Sequence, residues 1–160
     1  MKDTDLDELQ ARLFTFAVRR KPVETGPLAL ERVNRSLVLR PANPRPELNW
    51  LALQCFNAFE FFAVRSSEAD GEHPHLSSYQ RLLLKSFGQQ NVMSEYRFSI
   101  ALTGPLDPAQ LDAVSKALEP VIADVCAKDV CVDGLSLVGE AGGEEQSAPL
   151  RLIGRYSLEG

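Results

Sequence analysis

Both histidines of the chain lie in one stretch, Glu72-His73-Pro74-His75. Two imidazoles one residue apart beside a carboxylate could begin a metal site, with Cys126 and Cys131 as further ligands. Structural zinc sites use tight pairs such as Cys-x2-Cys, whereas four residues separate Cys126 from Cys131. The spacing therefore predicts a solvated histidine pair, with no metal and no cofactor. The three cysteines, Cys55, Cys126 and Cys131, raise the question of a nucleophile. An activated thiolate needs a base or a positive charge beside it. Cys55 falls on an apolar helical stripe, and Cys126 and Cys131 flank Lys128 but also Asp124, Asp129 and Asp133. These neighbours favour packing over reactivity. The acidic clusters Asp5-Asp7-Glu8 and Glu144-Glu145 sit in polar stretches and read as solubilising charge. No phosphate-binding loop, dinucleotide fingerprint or nucleophile elbow occurs. No catalytic residue is assigned.

The charge distribution is more informative. Residues 1–46 carry a net charge of +3 and residues 47–160 a net charge of −8. Between Arg12 and Arg45 there are eight basic residues, seven of them arginine, against only Glu24 and Glu31. The guanidinium fork suits carboxylate and phosphate alike. Two readings stand: a basic strip facing an external partner, or one neutralised by the chain's own acidic C-terminal half. Charge reversal at Arg35 and Arg40 separates them, because an external strip loses partner capture while an internal one loses stability. A second contact candidate is the stretch Pro46–Val64. Leu48, Leu51, Ala52, Cys55, Phe56, Phe59 and Phe62 fall on one helical face, and Trp50, Leu53, Phe61 and Val64 make much of the other side apolar. A helix apolar nearly all round is either central in a core or shared with a partner. The candidate partner-binding residues are therefore Arg19, Arg20, Arg32, Arg35, Arg40, Trp50 and Phe61.

The elements that must position these residues follow from periodicity and punctuation. Leu6, Leu9, Leu13 and Phe16 predict a helix over about 5–19. Residues 28–33 and 36–40 suggest short strands around Asn34, although a short helix fits 28–33 as well. Pro46 suits the first turn of a helix running to about Arg65. Ser77-Ser78 caps a helix over 79–87 that Gly88 stops. Tyr96, Phe98, Ile100 and Leu102 alternate as a strand over 96–103. Asp107-Pro108 opens a helix burying Leu111, Val114, Leu118, Val121, Ile122 and Val125, with a kink or break expected at Pro120. Residues 130–138 predict a strand bulged at Gly134, 139–149 a flexible hairpin loop, and 150–156 a last strand.

The run Tyr96–Val114, a strand, the turn Gly104-Pro-Leu-Asp-Pro108 and a helix, is similar to a segment of the pterin synthase family. That family uses three zinc-binding histidines and this chain has two, both in one loop, so the resemblance carries no site across.

The chain has 160 residues, 44% of them apolar and 24% charged, enough for a core without staples. The expectation is a single α+β domain over 1–160, with one mostly antiparallel sheet of about four to five strands and helices on one face. An acidic start, no apolar run of membrane-spanning length and three cysteines predict a cytoplasmic protein, with no membrane partner. The function expected is non-enzymatic: an adaptor, immunity-type inhibitor or assembly subunit that docks on another protein or forms a homodimer. Two alternatives are kept. One is nucleic-acid association through the strip 12–45, which lacks interleaved aromatics for base stacking. The other is a small-molecule binder or enzyme with an unrecognised site.

Overall fold

The computed structural model describes residues 3–63, 75–140 and 149–160. The chain forms two compact units, one from Met1–Val23 with Cys131–Gly160 and one from Glu24–Val130. The architecture is α+β, as expected. The strands do not join one sheet, however. They form three small ones, ordered β1–β5, β2–β3–β4 and β6–β7, so the single sheet of four to five strands is corrected.

The first unit holds helix α1 (Asp3–Ala17) and the antiparallel hairpin of β6 (Gly134–Glu140) and β7 (Leu150–Ser157). Leu13, Phe16, Ala17 and Leu158 supply its buried apolar side chains. The hairpin register shifts between Leu137 and Val138, three residues beyond the bulge expected at Gly134. The expected strand over 130–138 is split at Asp133, whose carbonyl accepts the Leu158 N–H at 2.8 Å and whose carboxylate pairs with Arg155 at 2.7 Å. That local bonding leaves β5 (Cys131–Val132) as a separate short strand. Of the expected loop at 139–149, residues 141–148 lie outside the described residues.

The second unit is built on the hairpin of β2 (Leu28–Val33) and β3 (Ser36–Pro41), preceded by β1 (Val23–Glu24). Asn34 adopts φ 54°, the left-handed conformation that asparagine tolerates in a tight turn. The Val33↔Ser36 pairing closes a hairpin, which excludes the short helix over 28–33. Leu37, Val38 and Leu39 are buried in succession because β3 lies between β2 and β4 (Ile100–Ala101), with α4 (Pro108–Cys126) packed on the hairpin. Helix α2 (Pro46–Phe59) has Pro in its first turn and buries Leu48 and Leu51. A single 3-10 turn over Glu60–Phe62 follows it. Helix α3 (Ser78–Phe87) is held by a capping box from Ser77 to Gln80 and stopped by Gly88 at φ 72°.

One expectation fails here for an identifiable reason. The strand over 96–103 pairs only at Val38↔Ala101 and Leu39↔Ile100. Beyond Leu39 the partner strand ends in Pro41, which has no N–H to extend the ladder. Of the kink or break expected at Pro120, the break does not occur: helix α4 runs through Pro120, which is exposed. Beyond that point its apolar stripe faces solvent, with Val121 72% and Val125 50% exposed.

Candidate functional site

Where β3 and the chain entering β4 part, the second unit opens a groove of about 790 Å³. One wall is the end of β3 and the proline-punctuated turn Pro41-Ala42-Asn43-Pro44, the second is the first two turns of α2, and the third is the segment 94–98. Three arginines, Arg40, Arg45 and Arg97, line it against one carboxylate, Glu31. Trp50, the only tryptophan of the chain, lines it while remaining 60% exposed.

Each arginine is held differently. Arg40 is paired with Glu31 at 3.1 Å across the β2–β3 hairpin. Its Nε is buried and has no hydrogen-bond partner among the described residues. An unpartnered buried N–H costs about 1–3 kcal/mol. Arg45 donates from Nε to the carbonyl of Thr25 at 3.1 Å. It lies against Gly26, φ 66°, where a Cβ would fall 2.0 Å from Arg45 Nη2. Thr25 is fully buried, donates to Gly26 O at 2.8 Å and exchanges bonds with Val130, so the guanidinium stands on a fixed support. Arg97 is exposed and donates to the carbonyls of Ser94 and Tyr96 at 2.6 and 2.7 Å. With Arg40 matched by Glu31, the groove keeps two positive charges uncompensated among the described residues, those of Arg45 and Arg97.

Tyr96 precedes Arg97. Burial, and secondarily the charge of a Cys55 thiolate, push its phenol above the usual 10.0. The folded state therefore holds the phenolic proton more tightly than the unfolded chain does. The stability this contributes is full below pH 10.0 and is lost as pH rises through the folded-state value. Alkaline titration at 295 nm should show one tyrosine ionising late, and Tyr96→Phe should remove that late step.

The expected site residues divide sharply. Arg40 and Trp50 meet in the groove. Arg32 is paired with Asp112 of α4, and Arg35 donates to the Leu106 carbonyl at 3.0 Å. Arg19 is exposed, and the Arg20 guanidinium covers the Phe16 ring at 3.6 Å and donates to the Phe16 carbonyl. Phe61 is 82% exposed, edge-to-face with Phe62. The Arg35 main chain also accepts the Leu106 N–H at 2.7 Å, a bond that survives substitution, but Arg35→Glu removes the side-chain bond and should lower the melting temperature. The cost is about 1 kcal/mol for a solvent-exposed bond of this type, read by thermal denaturation. Arg97, Phe98, Asn43 and Asn49 escaped the sequence reading as site residues, as did Glu31. The available signal was three prolines, Pro41, Pro44 and Pro46, around Arg45 and one helical turn before Trp50.

Of the histidine stretch, Glu72, His73 and Pro74 lie outside the described residues, and His75 is exposed. Cys55 and Cys126 are half-buried and Cys131 is exposed, and none of the three is in a disulfide. No helix among the described residues is long and apolar enough to cross a membrane.

Comparison with known proteins yields one match. The family described as Protein of unknown function (DUF1045) matches residues 1–148. Neither the curated proteins nor the solved structures contain a match.

Proposed function

On the premise that the chain belongs to the DUF1045 family, whose description states no activity, we propose that it is a non-enzymatic docking protein that works through the groove at the start of α2. One observation carries this reading. An indole 60% exposed stands on the wall of an open groove beside three arginines and a single carboxylate. Trp and Arg are the residues most enriched where protein surfaces bind most strongly, and a large exposed indole in water is costly until something covers it. The same strip-and-aromatic pairing motivates the candidates Arg40 and Trp50, while Arg32 and Arg35 contribute to the fold. Trp50→Ala should leave the melting temperature within about 1 °C and weaken partner capture at least tenfold. Unchanged capture with Trp50→Ala would falsify this reading.

A second contact surface has its own observation. Strand β7 pairs only with β6 among the described residues, and Leu150 and Leu152 are 64% and 65% exposed on it. An open edge with apolar side chains is suited to self-association. Sedimentation over a range of concentrations should show a dimer that Leu152→Glu disperses.

A further inference from the structure

Resting on the docking reading above, we propose that the groove receives an extended acidic segment of a partner protein, with its carboxylates on Arg97 and Arg45 and its backbone along residues 97–99.

The argument starts from the strand that stops short. Residues 96–99 precede β4 but make no ladder among the described residues, because the β3 pairing stops at Leu39↔Ile100 and Pro41 has no N–H to extend it. Tyr96 is already bonded at both its N–H, to the Met93 carbonyl, and its carbonyl, from Arg97 Nη1, so the stretch 97–99 is left to present N–H and C=O groups. Another peptide backbone complements these groups directly. The opposite wall offers the amides of Asn43 and Asn49, both exposed, and each amide supplies a donor and an acceptor. A main chain passing through meets hydrogen-bonding groups on both sides.

Charge then selects the side chains. Glu31 already answers Arg40, so Arg45 and Arg97 are the cations left for a visitor. Arg45 reaches the groove only by its terminal nitrogens, since its Nε is committed to the Thr25 carbonyl. Arg97 uses Nη1 on two main-chain carbonyls of its own segment, which holds the guanidinium in place. A guanidinium so positioned loses little side-chain entropy when a carboxylate arrives. Trp50 and Phe98 supply apolar surface for an aliphatic residue set between the acids.

Nucleic acid fits less well. A phosphate backbone needs cations spaced along a track, and the neighbouring Arg32 and Arg35 are spent on Asp112 and on the Leu106 carbonyl. The whole chain also carries a formal charge of −5.

Because Trp50 is the only tryptophan, the intact chain reports on its own groove by fluorescence. The probe is a synthetic peptide of about ten residues, rich in Glu with a central Leu and free of Tyr and Trp. Companion titrations use the same peptide with Gln for every Glu, a single-stranded oligonucleotide of equal charge, and inorganic phosphate. The expected result is a saturable change with the Glu peptide, at least tenfold tighter than with the Gln peptide, and weakening as salt is raised. Arg97→Glu should reduce that affinity about tenfold, whereas Arg35→Glu, which also loses an exposed bond to a main-chain carbonyl, should leave it unchanged, and Arg97→Gln repeats the comparison with the uncharged side chain.

Equal binding of Glu and Gln peptides, tighter binding of the oligonucleotide or phosphate, or no saturable change overturns the acidic-segment inference. The Trp50→Ala capture comparison separates this failure from that of the docking reading. If Trp50→Ala still abolishes capture while the Glu peptide does not bind, docking stands and the occupant is different. If neither responds, both fall.

Discussion

Leu37→Ala should lower the stability of the Glu24–Val130 unit by about 3 kcal/mol, the usual order for emptying a filled leucine site. Leu37 is fully buried and sits in the middle strand of the three-stranded sheet. Its main chain is also where β3 grips the chain after β4. The N–H donates to Thr103 Oγ1 at 3.0 Å, and the carbonyl accepts from Leu102 and Thr103 at 3.0 and 3.3 Å. Those bonds survive truncation to alanine, so the loss comes from packing alone. The melting transition should fall by roughly 6–12 °C. Leu82→Ala is the matched comparison, because Leu82 is 58% exposed on α3 and its truncation should cost under about 0.5 kcal/mol. Equal losses in the two variants would show that the core of this unit lies elsewhere.

Gly26→Ala should damage stability and docking together. Gly26 has φ 66°, and a non-glycine residue there costs about 1–2 kcal/mol. The added methyl would stand 2.0 Å from Arg45 Nη2 and 2.8 Å from its Cζ, so the guanidinium must leave. Arg45 then gives up its bond to the Thr25 carbonyl, and the groove loses one of its two uncompensated charges. Denaturation should show a loss of about 2 kcal/mol, since a net hydrogen bond adds about 1 kcal/mol to the backbone strain. Binding of the Glu peptide should weaken about tenfold. A Gly26→Ala protein that is destabilised but binds normally would mean that Arg45 supports the fold and leaves the ligand to other groups.

The two largest effects fall on residues of different legibility. Leu37 belongs to an apolar run that any reading of residues 36–40 places in a strand, and Asn34 marks the turn before it. Gly26 is the one glycine, beside Pro22 and Pro27, of the stretch Lys21–Pro27, which reads only as a break. Its meaning depends on Arg45, nineteen positions further on. The same contrast runs through the helices. Ser77 with Gln80, and Asp107 with Gln110, cap α3 and α4 through contacts three residues apart. Such contacts are written in the local order of residues.

What the amino-acid order determined by itself was therefore local: α and β segments, their caps and turns, an arginine-rich first third and an aromatic second helix. Tertiary structure decided the division of the strands among three small sheets and the fate of each arginine. Arg32 and Arg35 became internal ties to residues about seventy to eighty positions away, while Arg97, from outside the strip, joined Arg40 and Arg45 at the groove. The reason is geometric. Helix caps and periodic faces depend on neighbours within one turn, but a guanidinium's partner depends on which distant strands and helices meet and in what register. Here that register ends at Leu39↔Ile100, and the space left beyond it is the groove.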